Sequence, residues 1–293
     1  MQSYNTFKHL FESKDEAEKY LKENKVFYTE FKCTRPNCNG IMRVIRQRNV
    51  LRCGKKTCSK EMSLRAHTFF YGSMLTSNRI LEMAYLWLLK MNHEQICDFT
   101  GIAKNSITQF NCHFQILVGG ALDEEDCLIG GDGIVVEIDE TKMGKRKYHR
   151  GHHVEEVWIG GGEVKKIIEL RMFLKAVENR STETMKKLIE NPVKVGSIIR
   201  TDMWKAYGFL KNDPNYVHQE VKHSKHLKYP ISGVHTNTIE GSWSGLKRGI
   251  KIKNRVREGM DDHLFEFMWR RKNKEKLWQA FIEALAFIHY NIS

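Results

Sequence analysis

The order of predicted strands and helices in the second half of the chain is the strongest constraint on its fold. Short apolar runs bounded by glycine and polar residues predict strands, whereas apolar residues at helical spacing predict helices. From residue 134 onward these patterns give three strands, a helix, a strand, a short helix, a fifth strand and a final helix. The second of these strands, in VEEVWIGGGEV, is predicted to end in a glycine-rich hairpin turn. This order predicts an α/β domain over residues 128–293, built on a mixed five-stranded sheet with helices on its faces.

Three acidic residues of this domain stand where a metal site is expected. Asp139 ends the first strand, in IVVEID, and Asp202 ends the fourth, in SIIRTD. The strand order resembles a ribonuclease-H-like fold, in which the first and fourth strands are neighbours, so the two aspartates would lie side by side. Glu240 and Asn237 lie one turn apart in a helix predicted within residues 232–253, and this helix would lay Glu240 across the aspartates.

Two strand-end aspartates and a helical glutamate suit a two-metal phosphodiester site. Mg²⁺ prefers oxygen ligands, and a pair of Mg²⁺ or Mn²⁺ ions can activate an attacking water or 3′-hydroxyl and stabilise the departing oxygen. Taken singly, each acid has an ordinary alternative as a turn residue, a helix cap or a salt-bridge partner. Glu137 and Glu140 are expected to point to the opposite face of the sheet from Asp139, and so to lie outside the site.

The chain is strongly basic, with a formal charge of +13. Such a balance points to a polyanionic partner, most often nucleic acid. Two basic runs near the predicted metal site are interpreted as phosphate contacts, with solvated faces as the alternative. The residues are Lys142, Lys145, Arg146, Lys147 and Arg150 in the first run, and Lys247, Arg248 and Lys251 in the second. Three tryptophans are expected in the core rather than stacked on bases: Trp158, Trp204 and Trp243.

Seven cysteines, an odd number, fit a reducing compartment better than a disulfide framework. Four of them form two close pairs on either side of a predicted hairpin and can bring four thiolates to one structural Zn²⁺. These four are Cys33, Cys38, Cys53 and Cys58. The gap of four residues within each pair is looser than the usual two, so ordinary buried cysteines remain the alternative. With a helix predicted over residues 5–24, the pairs define a zinc-ribbon-like domain of residues 1–65. Four arginines of the hairpin would form a basic face that is either DNA-contacting or only solvated: Arg43, Arg46, Arg48 and Arg52.

Candidate DNA-reading residues lie in a predicted helical unit over residues 66–122. Helices are predicted over residues 77–91, 93–99 and 106–118, and the turn between the last two resembles that of a helix-turn-helix, whose later helix enters a major groove. A plain three-helix packing unit is the alternative. The candidate readers are Lys104, Asn105, Ser106, Thr108 and Gln109. Two cysteines at apolar helical positions of this unit are expected in its core: Cys97 and Cys112.

The ends of the chain carry less specific signals. The last segment, KLWQAFIEALAFIHYNI, predicts a helix that packs on the catalytic domain, with a short coiled dimer seam as the alternative. No apolar run approaches the length that spans a bilayer, and the N-terminal segment is charged throughout. We therefore expect an intracellular protein without a membrane partner.

Several motifs together resemble the Merlin superfamily of DNA transposases and their bacterial insertion-sequence relatives. The resemblance covers nearly the whole chain and rests on the cysteine pairs, the helix-turn-helix pattern, VEIDETK, IRTD and, above all, VHTNTIEGSWSGLKRG. The tail DDHLFEFMWRRKN favours the eukaryotic Merlin side. The resemblance implies a DDE catalytic triad at Asp139, Asp202 and Glu240. Some bacterial relatives use an asparagine in the third role, so Asn237 stays open as an alternative, although Glu240 brings the negative charge that two divalent cations require.

The resemblance also implies a function, cut-and-paste transposition. Such an enzyme binds terminal inverted repeats, hydrolyses phosphodiesters at the element ends and joins the freed 3′-hydroxyls to target DNA. Two ends must be paired, so a homodimer or a larger synaptic complex is expected, located in the nucleus for a Merlin element and in the cytoplasm for a bacterial relative. Two other classes remain open, a transposase-derived DNA-binding protein without catalysis and a ribonuclease-H-like structure-selective nuclease. Strand joining after cleavage distinguishes them.

Overall fold

The chain divides into two compact units. One comprises Met1–Ala121 with Asn273–Ser293, and the other comprises Leu122–Lys272. The computed structural model describes residues 2–45, 48, 50–144, 156–164, 171–221 and 237–288, with the backbone alone at residue 237. No helix in these ranges is long and apolar enough to cross a membrane.

The first unit contains a small antiparallel sheet and a set of helices. The four strands of the sheet lie side by side in chain order. They are β1 Glu30–Lys32, β2 Ile41–Ile45, β3 Val50–Cys53 and β4 Glu61–Ser63. The helices are α1 Tyr4–Glu12, α2 Lys14–Glu23, α3 Ser77–Leu88, α4 His93–Thr100, α5 Lys104–Gly120 and, after the second unit, α10 Leu277–Phe287.

The single helix predicted over residues 5–24 is in fact two helices that meet at Ser13. The extended backbone of Ser13 ends α1, and its hydroxyl accepts a hydrogen bond from the backbone N–H of Glu16 at 3.3 Å. A serine that caps the following helix in this way competes with continuation of the preceding one. Apolar spacing alone carries no sign of such a break.

The paired helices α4 and α5 form as the sequence predicts. Asn92 and Gln95 make a reciprocal capping box at the start of α4, and Gly101 ends it in the left-handed conformation with φ 68°. Glycine adopts that conformation without steric cost, so the chain can turn sharply before α5 begins. The helix α5 extends two residues beyond each end of the range 106–118 that its spacing predicts.

The last helix, α10, belongs to the first unit, which corrects the prediction that it packs on the catalytic domain. The Trp278 ring contacts those of Phe7 and Tyr85, and its indole N–H donates to the Tyr20 hydroxyl at 3.0 Å. The Phe281 ring contacts that of Trp87. Helical spacing identifies the apolar side of a segment and leaves its partner undetermined, and here the partner is the aromatic side of the N-terminal helices.

The second unit is built on the predicted mixed sheet of five strands. The strands of the sheet are β6 Val135–Met143, β7 Val157–Val164, β8 Met172–Val177, β10 Ile198–Asp202 and β11 Val217–Val221, in the spatial order β11-β10-β6-β7-β8. The strands β6, β10 and β11 are parallel, and β7 runs antiparallel to both of its neighbours. The expected adjacency of the first and fourth strands is therefore confirmed. Two short strands, β5 Ile129–Gly130 and β9 Val193–Lys194, pair separately.

Helices cover both faces of this sheet. The helix α7 Thr182–Glu190 and a 3₁₀ helix over Lys205–Asn212 share a core with Val136 and Ile138 of β6. The opposite face carries α8 Asn237–Gly249 and α9 Met260–Lys272, which pack on Met143 of β6. The remaining elements are α6 Glu124–Cys127 and a 3₁₀ turn over Ile252–Asn254.

The glycine-rich run of β7 lies within the strand, although the sequence predicts a hairpin turn there. A Cβ added at Gly161 would lie 2.5 Å from the Phe173 carbonyl oxygen and 3.2 Å from the Trp243 ring, and one at Gly162 would lie 2.6 Å from Ile138. Side chains do not fit at these positions. The glycines thus let α8 and the neighbouring strand approach β7 closely, and residues 165–170, which follow β7, lie outside the described residues.

Candidate functional sites

The partly buried Asp139 lies in the middle of β6, on the face that α8 covers. The prediction that Asp139 ends this strand is wrong, because β6 continues to Met143. Its Oδ2 accepts a hydrogen bond from the indole N–H of Trp243 at 2.9 Å. Trp243 is only 5% exposed and belongs to the core beneath α8, as the sequence predicts. The hydrogen bond therefore fixes the rotamer of Asp139 from a rigid element and leaves its other oxygen, Oδ1, for another ligand.

The environment of Asp139 opposes its negative charge. Burial raises the pKa of the Asp139 carboxyl to about 6, and the charges of Glu140 and Asp202 raise it as well, against hydrogen bonds from the Glu140 backbone and Trp243 that lower it. In the part of the chain that the structure describes, no cationic side chain pairs with Asp139. A bound divalent cation would offset the repulsion between these neighbouring carboxylates, and carboxylate oxygens are ligands that Mg²⁺ and Mn²⁺ prefer, so these residues fit either ion.

Asp202 ends β10 at the same level of the sheet as Asp139. The register pairs Arg200 with Glu137, and each aspartate lies two residues farther along its parallel strand. The Asp202 Oδ1 atom accepts the backbone N–H of Trp204 at 2.9 Å, which tightens the turn after the strand. Asp202 is thus a turn residue, as the ordinary alternative holds, and it is also a neighbour of Asp139.

Glu240 lies exposed in the first turn of α8, one turn before Trp243. Among the described residues, only a cysteine cluster brings three or more metal-binding groups within 4.8 Å of one another. The carboxylates of Asp139, Asp202 and Glu240 therefore do not all lie that close together. The Asn237 side chain falls outside the described atoms, so the alternative for the third ligand stays open.

Glu137 is buried beneath α8, and the prediction that it faces away from Asp139 is wrong. Its Oε2 accepts the backbone N–H groups of Thr238 at 2.9 Å and Ile239 at 3.2 Å, and its Oε1 accepts the Thr238 hydroxyl at 3.1 Å. Side chains two residues apart share a face of a strand, so counting by two from Asp139 would have found it. Glu137 caps the positive end of the α8 dipole and fixes where that helix begins.

A second buried acid, Glu163, lies directly across from Glu137 on β7. It accepts a hydrogen bond from the Ser242 hydroxyl of α8 and forms an ion pair with Arg271 of α9. The sheet therefore holds both helices through carboxylates. Nothing in the sequence around Glu163 signals this role, because its partners lie far along the chain.

Glu140 does point to the opposite face, as predicted. Its Oε2 accepts the Tyr207 hydroxyl at 2.6 Å, and its Oε1 accepts the Arg180 Nε–H at 2.6 Å. The Arg180 guanidinium lies between two indole rings, 4.6 Å from the centroid of Trp158 and 4.5 Å from that of Trp204. Trp204 is 37% exposed, so the expectation that it lies in the core is wrong.

Comparison with known families identifies the domain that carries these residues. The family model described as an ISXO2-like transposase domain matches residues 125–272, about half of the chain. The chain belongs to the ISXO2-like transposase family. The matched range contains Asp139, Asp202 and Glu240, and it supports the insertion-sequence side of the resemblance, whereas membership of the Merlin superfamily stays a prediction. No curated protein matches the chain.

Basic candidates of the transposase domain are only partly described. Lys142 lies near the end of β6, where it pairs with Glu156 and lies 5.5 Å from the Trp158 ring centroid. At the other run, Lys247 and Arg248 lie in the last turn of α8, and the exposed Lys251 follows it. Four candidates lie outside the described residues: Lys145, Arg146, Lys147 and Arg150.

The four paired cysteines meet in one cluster in the first unit. All four Sγ atoms lie within 4.8 Å of one another, with 3.7 Å between Cys33 and Cys58 and 3.8 Å between Cys38 and Cys53. A tetrahedral site with Zn–S bonds of about 2.3 Å has S···S edges of about 3.8 Å, so the cluster is compatible with zinc. A Cβ at Gly40 would lie 2.5 Å from the Cys53 sulfur, so glycine is needed beside the cluster.

The basic face of the hairpin is partly neutralised. Arg43 and Arg52 are cross-strand partners, and each lies opposite an acid on the outer strand, Glu30 for Arg43 and Glu61 for Arg52. The Arg43–Glu30 distance is 3.0 Å, and Arg48 also reaches Glu61 at 2.9 Å. Arg46 lies outside the described residues. In this row the two neighbouring arginines are flanked by an acid on either side, which favours the solvated alternative over DNA contact for the hairpin face.

The candidate readers lie on the outer side of α5 near its start. Lys104, Asn105, Thr108 and Gln109 are exposed, and Ser106 is half-buried. The Thr108 hydroxyl donates to the Lys104 carbonyl oxygen at 3.0 Å, as threonines within helices commonly do. Cys112 is exposed and Cys97 half-buried, so the core position predicted for Cys112 is wrong. A helical position of intermediate polarity can lie at the edge of the apolar side and still face water.

Proposed function

We propose that the protein is a DDE-type DNA transposase whose catalytic domain has a ribonuclease-H-like fold. It binds terminal inverted repeats, cleaves DNA at the element ends and joins the 3′-ends to target DNA. The observation that carries this proposal is the position of Asp139 and Asp202, level with each other on neighbouring parallel strands, within a domain that matches a transposase family.

Asp139, Asp202 and Glu240 would hold two Mg²⁺ or Mn²⁺ ions in this proposal. Bound there, the ions would supply activation of the attacking oxygen and stabilisation of the departing one. The chain's own contribution is to orient the ligands. Trp243 holds one oxygen of Asp139, while Glu137 fixes the start of the helix that carries Glu240. Removing either support would displace a ligand without touching the reacting atoms.

The first unit supplies DNA recognition in this proposal. The exposed start of α5 offers polar and basic side chains that can reach base edges, and a Zn²⁺ ion in the cysteine cluster would hold the small sheet together. The partners are element-end and target DNA, and a homodimer or larger synaptic complex would pair two ends. A eukaryotic host would require nuclear localisation.

A cleavage and strand-transfer assay tests the proposal. Purified protein, Mg²⁺ or Mn²⁺ and a labelled duplex carrying the element end are combined, with Glu240→Gln and Asn237→Ala as variants. We expect metal-dependent nicks and joined products that disappear with Glu240→Gln and persist with Asn237→Ala. Loss of activity in the Asn237 variant alone would assign the third ligand to Asn237. Binding without cleavage would indicate a DNA-binding descendant, and cleavage without joining a nuclease.

A further inference from the structure

The guanidinium of Arg180 is held in a fixed orientation by three partners. It lies between the Trp158 and Trp204 rings, within the range of cation–π attraction on both sides. Its Nε and Nη2 groups both contact Oε1 of Glu140, whose side chain is only 2% exposed. Tyr207, which also donates to Glu140, keeps its proton because burial and the Glu140 charge raise its pKa well above the usual value. Such an arrangement removes most of the conformational freedom of an arginine.

One edge of this guanidinium remains available. Arginine has five N–H donors, of which the Nε–H donates to Glu140, and Nη2 lies in ion-pair contact with the same carboxylate oxygen. Nη1 has no acceptor within the ranges of the chain that the structure describes, and the side chain is 29% exposed. The buried acid therefore fixes the orientation of Arg180 while leaving donors on the solvent side that can bind a second anion.

The position of Arg180 links it to both candidate metal ligands. Glu140 follows Asp139 directly on β6, and Trp204 follows Asp202 by two residues, with its backbone N–H bonded to the Asp202 carboxylate. The Trp158–Arg180–Trp204 stack thus lies at the end of β10 where Asp202 lies. An anion bound to Arg180 would lie at this end of β10, on the α7 face of the sheet and across it from the Asp139 side chain.

We infer that Arg180 binds a phosphate of the DNA strand that passes the acid pair, with the exposed Trp204 beside it. The inference rests on the proposed function, because it takes DNA as the polyanion. A planar guanidinium fork matches phosphate oxygens in geometry as well as charge, and a preoriented fork loses little entropy on binding. Since Glu140 holds the guanidinium in place, the contact would depend on the geometry of the fork as well as on its charge.

The test is the salt dependence of DNA binding by the double variant Glu140→Gln and Arg180→Gln. This pair of changes leaves the net charge unaltered and replaces the buried ion pair by two amides that can bond to each other. Binding to a fluorescein-labelled duplex is measured by anisotropy across a range of NaCl concentrations. A plot of log K against log salt concentration has a negative slope, and loss of one phosphate contact makes that slope less steep by about 0.9. We expect that decrease, together with weaker binding.

The matched control is Glu183→Gln with Lys187→Gln, which removes an exposed, charge-balanced pair from α7. We expect its slope and affinity to equal those of the unmodified protein. A second variant, Arg180→Lys, keeps a cation beside Glu140 but removes the fork, and it should make the slope less steep as the double variant does. Thermal melting would reveal a folding defect in the double variant, and in that case Arg180→Lys provides the test.

The outcomes separate this inference from the proposed function. Unchanged slope and affinity in a folded Arg180→Lys variant, while the unmodified protein binds DNA, would overturn the role of Arg180 and leave the transposase proposal intact. Failure of the unmodified protein to bind DNA at any salt concentration would overturn both. If the control variant lost as much salt dependence and affinity as the double variant, removal of any ion pair near α7 would have the same effect. That result would contradict a specific contact by Arg180.

Discussion

Asp139, a candidate metal ligand, lowers the stability of the folded protein when its carboxyl is ionised. Its carboxyl has a pKa near 6 because it is buried beside two other acids, whereas the ordinary value is 3.8. The unfolded chain therefore loses this proton at lower pH than the folded chain does. The contribution of Asp139 to stability is greatest below about pH 4 and falls as pH rises towards 6, by about 3 kcal/mol for the full difference.

The first prediction follows from that sign. In the presence of EDTA, Asp139→Asn should raise the free energy of unfolding at pH 8 by up to about 3 kcal/mol, and should change it little at pH 4. The asparagine Oδ1 can still accept the Trp243 N–H, so packing is retained. Urea denaturation at both pH values measures the effect. A variant that is no more stable than the unmodified protein at pH 8 would contradict the assigned environment.

Single residues were predictable where the strand pattern marks them. Asp139 and Asp202 could be found because each follows an apolar run, and neighbouring parallel strands bring these two positions to the same level, although β6 continues beyond Asp139. Glu137 was recoverable from the two-residue repeat of a strand. Arg180 was not, since its contacts with Glu140 and Trp204 exist only once β6, α7 and β10 are packed. Local sequence carries no record of those long-range neighbours.

At the scale of elements, α8 is held from below by buried acids. Glu137 accepts two backbone N–H groups and a hydroxyl at the start of the helix, and replacing it leaves those donors buried without an acceptor. We predict that Glu137→Ala costs about 1–3 kcal/mol of stability, measured by urea denaturation. Glu183→Ala, an exposed acid in the first turn of α7, is the control and should cost under about 0.5 kcal/mol. Equal costs would contradict the capping role.

The small sheet of the first unit gives a second prediction at this scale. One Zn²⁺ per chain should be found by elemental analysis, because four thiolates are arranged at the spacing of a single tetrahedral site. Cys53→Ser should lose the ion, and chelation should unfold the sheet. Cys112→Ser, at an exposed cysteine away from the cluster, should retain it. Zinc retained in full by Cys53→Ser would contradict this ligand set.

Elements were predicted better than their breaks and partners. The strands of the large sheet and the helices α3, α4 and α5 follow from periodicity. The break at Ser13 depends on one hydroxyl. The glycines of β7 predict a turn from the sequence, but in the structure they leave room for the close packing of Phe173, Ile138 and Trp243. The place of α10 depends on aromatic partners more than 190 residues earlier in the chain, such as Tyr85. No local pattern encodes such a distant choice.

At the scale of the whole molecule, the two units are proposed to divide recognition from chemistry. Asn105→Ala and Gln109→Ala alter exposed positions at the start of α5, so they should reduce the preference for element-end DNA over mixed-sequence DNA. Each lost base contact should cost about 1–3 kcal/mol of discrimination. Competition binding measures the preference, with Cys112→Ser on the same helix as the control. Unchanged preference in both variants would support the plain three-helix alternative.

The domain boundaries at residues 65, 122 and 128 remain predictions. The α/β class of the second unit followed from its strand order. Composition indicated a polyanionic partner through the charge of +13, and a charge count says nothing of which basic residues meet DNA. Arg43 and Arg52 illustrate this, since both lie beside acids in the folded sheet.

The most direct test of the central claim is the joining of a pre-cut element end, carrying a free 3′-hydroxyl, to plasmid DNA. This reaction needs no knowledge of the order of strand cuts. The variant is Asp202→Asn, in which the amide oxygen still accepts the Trp204 N–H and preserves the turn. We predict joined product from the unmodified protein with Mg²⁺ or Mn²⁺, and none from the variant. Undiminished joining by Asp202→Asn, or no joining by unmodified protein that binds the same DNA, would contradict the account.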